Sequence, residues 1–139
     1  MPAVETNYAN TDFVLHSAAS LDALVAELRS TCHVCFYTHE NAGPWCAQIN
    51  ASHGQETADR DAAMDIAAML AAIGKLSPVA KAEFQNCDQR DFNIGFDCWD
   101  SWGYNHALPN DLLQAIAAAG CSLSVTLYPM RKPDGTPKV

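Results

Sequence analysis

RDFNIGFDCWDSWGYNHALPNDLLQAIAAAGCSLSVTLYP, residues Arg90–Pro129, carries the clearest structural signal in the chain. Phe92, Ile94, Phe96 and Cys98 alternate with Asn93, Gly95, Asp97 and Trp99, the period of a strand with one buried face. Pro109 suits the first turn of a helix, and Leu112, Leu113 and Ile116 follow at helical spacing. Gly120 supplies a left-handed stop, after which Leu123, Val125 and Leu127 alternate as a further strand. Strand, loop, helix and strand thus follow without a break. The loop, Trp99-Asp100-Ser101-Trp102-Gly103-Tyr104, is too aromatic to be a mere connection.

The residues before this stretch extend the same alternation of elements. Phe13 and Leu15 share one face of a strand over about Thr11–His16, and Ser20 is placed to cap a helix with Leu21, Leu24, Val25 and Leu28 as its stripe. A strand over Cys32–His39 turns Val34 and Phe36 inward, and the turn Glu40-Asn41-Ala42-Gly43-Pro44 joins it to a strand over Trp45–Ala51. The longest helix is predicted over Gln55–Ile73, with Ala63, Ile66, Ala67, Leu70 and Ile73 buried. Gly74 stops it, and Ser77-Pro78 then opens a short helix to about Asn86. The resulting order is read as βαββαβαβ. That is an α+β fold: a ferredoxin-like βαββαβ sandwich extended by a further helix and strand, its five-stranded, mostly antiparallel sheet covered by helices on one face.

The chain reads as a single domain over residues 1–139, with loose termini at 1–10 and 130–139. Alternation collects His33, Cys35, Tyr37 and His39 on the uncovered sheet face. Cys46, Gln48 and Asn50 join them from the third strand, Asn93, Asp97 and Trp99 from the fourth, and Ser124, Thr126 and Tyr128 from the last. Such a surface is either a solvated sheet face or a docking or homodimer face.

Charge narrows the partners. Sixteen acids stand against eight bases, and residues 1–130 hold 15 acids against 5 bases, a net of −10. A body of that sign repels nucleic acid and anionic membrane and attracts a basic protein. The N-terminus has neither a basic region nor an apolar run, and no window is apolar for long enough to span a bilayer. A cytoplasmic protein with six free, mostly packing cysteines is the expectation.

Cys32-His33-Val34-Cys35 has the C-x-x-C spacing, but within a strand its two thiols point to opposite faces, which spoils a redox pair. By alternation His33, Cys35, His39 and Cys46 share a face, a candidate zinc set for a metal-binding regulator or enzyme, although the paired tight knuckles of a structural site are missing. The acids Glu56, Asp59, Asp61 and Asp65 suit a helix N-terminus without any function. No G-x-S-x-G, G-x-G-x-x-G or Walker-type loop occurs, so neither catalysis nor a cofactor is expected.

Trp99, Trp102 and Tyr104, with interleaved Asp97 and Asp100 and with Tyr37 on the sheet, form the partner-binding set that the residues suggest. The aromatics supply contact area and the acids select a basic partner. Phe92–Phe96 (FNIGF), Leu108–Leu113 (LPNDLL), Gly120 and Ser124–Pro129 (SVTLYP), with Asp12–Leu15 and Ser20–Leu24, resemble a family of small bacterial domains of unknown function found near toxin–immunity genes. That family's pattern names no catalytic residue. The charge, the polar-aromatic sheet face and the lack of a catalytic constellation together point to a non-enzymatic, immunity-type inhibitor that neutralises a basic toxin or nuclease. A phage-encoded inhibitor of a defence complex, with acids mimicking nucleic-acid phosphates, is the related alternative.

Overall fold

The computed structural model describes residues 6–51, 60–98, 103–129 and 134–136. Its elements are β1 (Asn7–Ser17), α1 (Asp22–Leu28), β2 (His33–His39), β3 (Trp45–Asn50), α2 (Ala62–Gly74), α3 (Pro78–Gln85), β4 (Gln89–Cys98), α4 (Asn110–Ala118) and β5 (Ser122–Pro129). The five strands lie in the order β2-β3-β1-β4-β5. β1 pairs antiparallel with both β3 and β4, β2 pairs antiparallel with β3, and β5 alone runs parallel to its neighbour β4. This is the expected ferredoxin-like arrangement with a helix and an edge strand added.

Strand periodicity builds the core. Phe13 and Leu15 of β1, Ala47 and Ile49 of β3, and Phe92, Ile94 and Phe96 of β4 are all buried on the side that meets the helices. Phe13 stacks on Phe92 with ring centroids 4.3 Å apart. α1 packs beside α3 and α2 beside α4, and Leu24, Val25, Leu28, Ile66, Met69, Ala80, Phe84 and Ile116 complete the core from above. At the end of α4, Gly120 has φ +72, Gly120 N–H donates to Ala117 O and Cys121 N–H to Ile116 O. This is the reciprocal pair of bonds that closes a helix over a left-handed residue.

Several details depart from the sequence reading. β1 begins at Asn7, so part of the supposed loose N-terminus is central sheet, with a bulge between Tyr8 and Asn10. α1 is capped from afar: Leu21 N–H donates to the Tyr37 hydroxyl at 2.8 Å, while Ser20 Oγ accepts from Asp22 N–H and lies 3.4 Å from the same Tyr37 hydroxyl. α2 is described from Ala62, with Asp61 accepting from Met64 N–H as its cap; residues 52–59 lie outside the described residues. Its buried stripe is Ala62, Asp65, Ile66 and Met69, rotated from the expected one, and Ala67 is exposed. The rotation has a physical cause. The Asp65 carboxylate is drawn inward to accept from the Tyr8 hydroxyl and to pair with Arg60, so it is not a surface acid serving the helix dipole.

Candidate functional site

The helices lie on one side of the sheet and leave its other face open. Register places Asn10, Asp12, Val14 and His16 of β1 on it, beside Asp91, Asn93, Gly95 and Asp97 of β4 and Cys46, Gln48 and Asn50 of β3. The edge strands add His33 and Thr38 from β2 and Ser122, Ser124, Thr126 and Tyr128 from β5.

Most of these polar groups bind one another across strands. Ser122 Oγ donates to one oxygen of Asp91 at 2.7 Å, Ser124 Oγ donates to the other, and Thr126 Oγ1 donates to Asn93 Oδ1 at 2.8 Å. Asn10 Nδ2 donates to Asp12. The Asn50 amide, turned with its nitrogen toward Asp12, donates to Asp12 Oδ1 at 2.9 Å. Burial lifts the Asp12 carboxyl above the ordinary carboxylate range, and a bond from Gln48 pulls in the other direction. The Cys35 sulfur lies 3.2 Å from the Asn50 amide, and its thiol is pushed up first by burial and then by the Asp12 charge.

Electrostatically the face is one-sided. Among the described residues Arg90 is the only lysine or arginine on a strand, and it pairs in register with Leu15 on the helix side. There its guanidinium donates to the carbonyls of Phe84, Gln85 and Cys87 near the end of α3 and to Gly120 O at the end of α4. Among the described residues no Lys or Arg on a strand therefore faces Asp12 and Asp97 on the open surface, and the third acid of that face, Asp91, is buried beneath its bonds from Ser122 and Ser124.

A second feature lies at one end of β5 on the helix side. Tyr104 sits edge-on to Phe96 at 5.1 Å and runs parallel to His106 at 6.3 Å. Thr6, Phe96, Tyr104, His106, Val125 and Leu127 line a groove of ≈ 390 Å³ there. Leu127 and Val125 are 61% and 56% exposed.

The structure sorts the residues singled out from sequence. Asp97 is on the open face and Tyr104 on the opposite side of the sheet, beside the groove. Trp99, Asp100 and Trp102 lie outside the described residues.

Tyr37 is not on the open face. The β2–β3 register shifts between Val34 and Phe36, so Phe36 pairs with Gln48 on the open side and Tyr37 pairs with Ala47 on the helix side. Phe36, expected inward, is 44% exposed. The same bulge breaks up the supposed zinc set. His33, Cys35 and Cys46 remain on the open face, whereas His39 turns to the helix side and stacks on Trp45 at 3.9 Å. Among the described residues no group of three or more His, Cys, Asp and Glu is placed to hold a metal ion.

Sequence reasoning missed the Tyr8–Asp65–Arg60 network and the Arg90 staple, since Tyr8 is distant from Asp65 along the chain and Gly120 from Arg90. Among the described residues, no helix is long and apolar enough to cross a membrane. No protein-family model, curated protein or solved structure matches the chain.

Proposed function

We propose that this chain is a non-enzymatic binding protein that receives a basic protein on its open sheet face, and that it acts as an immunity-type inhibitor of a basic toxin or nuclease. One observation carries the reading. The open face presents Asp12 and Asp97, with Asp91 buried beside them, while Arg90, the one Lys or Arg on a strand among the described residues, donates to backbone carbonyls on the other side. A net charge of −8 for the whole chain adds long-range attraction of the same sign. Ferredoxin-like sheets that take single-stranded RNA do so with stacked aromatics and cations, and this face has the opposite charge.

The test is capture from a host lysate on the immobilised chain, at low salt, beside an Asp12→Asn/Asp97→Asn variant. The expected result is a basic protein that leaves the column as salt is raised and is held poorly by the variant. Asp91 is left intact because it anchors Ser122 and Ser124. Recovery of general chaperones alone, or equal retention by both proteins, refutes the reading. Displacement of the captured protein by duplex DNA identifies its nucleic-acid site as the contact, as phosphate mimicry requires.

A further inference from the structure

The two edges of the sheet are built differently. β2 carries a bulge between Val34 and Phe36 and ends in His33 and His39, both features that discourage another strand from pairing. β5 has no such device. Its pairing with β4 runs from Ser122 to Pro129 without a register shift, and Ser-Leu-Ser-Val-Thr-Leu-Tyr contains no charge and no proline before the last position. No strand among the described residues pairs with its outer side. Leu123, Val125 and Leu127 all fall on its helix side, opposite Phe92, Ile94 and Phe96 of β4, and all three are exposed.

We infer that the outer edge of β5 pairs antiparallel with β5 of a second copy, about a two-fold axis through Val125. Charge selects the occupant. Two copies of a chain with net charge −8 repel over most of their surface and approach most cheaply along an uncharged seam. The side-chain pattern selects the register. With Val125 facing Val125 of the second copy, Leu123 faces its Leu127 and Ser124 faces its Thr126, so apolar residues meet on one side of the sheet and hydroxyls on the other. A shift of one residue between the strands destroys this match. The hydroxyls make no demand on the seam, because Ser122, Ser124 and Thr126 already donate to Asp91 and Asn93 within their own copy.

Pairing of this kind gives one continuous ten-stranded sheet with both acidic open faces on the same side. It also brings the aliphatic row of the second copy alongside Val125 and Leu127, at the groove that Tyr104 and His106 border. The seam is small beside the roughly 1,200–2,000 Å² of a standard interface, so a micromolar dissociation constant is expected. The inference does not depend on the proposed inhibitor role, and salt separates the two. Raising salt strengthens a seam between like-charged bodies and weakens capture of a basic partner.

Sedimentation velocity over a range of concentrations, at low and high salt, is the first measurement. Dimer is expected, with a larger fraction at high salt. Val125→Lys sets two ammonium groups face to face on the axis and is expected to weaken the dimer at least about tenfold without lowering the melting temperature. For register, Val125→Cys is oxidised mildly beside Leu123→Cys and the unmodified protein, which controls for the native thiols. Facing residues of an antiparallel pair have Cα atoms about 4.5–5.5 Å apart, within disulfide range, whereas two copies of position 123 lie several residues apart. Covalent dimer from Val125→Cys alone supports the two-fold register. A monomer at every concentration and salt, a dimer undiminished by Val125→Lys, or equal crosslinking of both cysteine variants overturns the inference.

Discussion

Tyr128 reaches across β4 to lie over Gly95. A Cβ added at Gly95 would stand 2.7 Å from Tyr128 Cε2 and 2.7 Å from Asn10 Oδ1, so both neighbouring strands depend on the missing side chain. An aromatic ring folded over a strand glycine restores the packing that the glycine gives up, and it turns the Tyr128 ring inward from the free edge of β5.

Gly95→Ala is accordingly expected to destabilise the protein by about 1–3 kcal/mol, the usual cost of forcing atoms into a packed site. Part of that loss should disappear in a Tyr128→Ser background, where the ring no longer competes for the space and only the Asn10 contact remains. Chemical denaturation of the two single variants and the double variant measures the coupling directly. Additive losses would mean that the ring and the glycine are independent.

Tyr37 gives a prediction of the opposite kind, because its hydroxyl is the atom that matters. It accepts from Leu21 N–H at 2.8 Å and donates to Asp22 Oδ1 at 2.7 Å, tying β2 to the start of α1. Tyr37→Phe keeps the ring contact with Trp45 but leaves a helix-terminal N–H without its acceptor, an expected loss of about 1–2 kcal/mol. Partner capture per folded molecule should be unchanged, since the hydroxyl faces the helix layer. A variant that melts like the unmodified protein but fails to capture would return Tyr37 to the binding surface.

How far the sequence could be read follows from the range of each signal. The order of elements and the turn at Gly120 are local, and the alternation Phe92-Ile94-Phe96 survives intact in the core. The β2 bulge is invisible to alternation. One inserted residue reverses every side chain after it, which moved Phe36 outward and took Tyr37 and His39 from the expected face. The stripe of α2 is hidden from periodicity because Tyr8, distant in sequence, and Arg60, just before the helix, make burial of the acid Asp65 favourable. At the site, Asp97 was placed correctly by period, whereas the bareness of β5 depends on where α4 packs, which no periodicity reports.

Cys87 and Cys121 flank the carbonyls stapled by Arg90, and burial lifts both thiols from 9.0 to about 11, with Arg90 opposing the rise. Their neutral forms are favoured in the folded state, so their contribution to stability is complete below about pH 9. Above that, unfolded chains lose thiol protons first, and the contribution falls as pH rises toward about 11. Melting followed from neutral pH upward should therefore decline in this window. The decline should be shallower in a Cys87→Ala/Cys121→Ala variant, whose other titrating groups are the same. Identical slopes would remove the thiols from the alkaline transition.

Asp97 and Tyr104 decide which side of the sheet receives a partner, because they stand on opposite faces at the same end of β4. Asp97 belongs to the acidic open face, while Tyr104 packs on Phe96 from the helix side and is 47% exposed. For a partner on the open face, Asp97→Asn should slow association by about two- to tenfold at low salt and flatten its salt dependence, with melting unchanged. Tyr104→Ala should leave affinity per folded molecule intact and cost about 1 kcal/mol of stability. That is well below the roughly 3–5 kcal/mol expected for a core ring such as Phe92, since half of Tyr104 already faces solvent. Stopped-flow association and thermal melting on the same two variants give both readouts. The reverse pattern, with Tyr104→Ala abolishing binding and Asp97→Asn silent, would move the partner to the groove beside β5 and leave the acidic face a solvated surface.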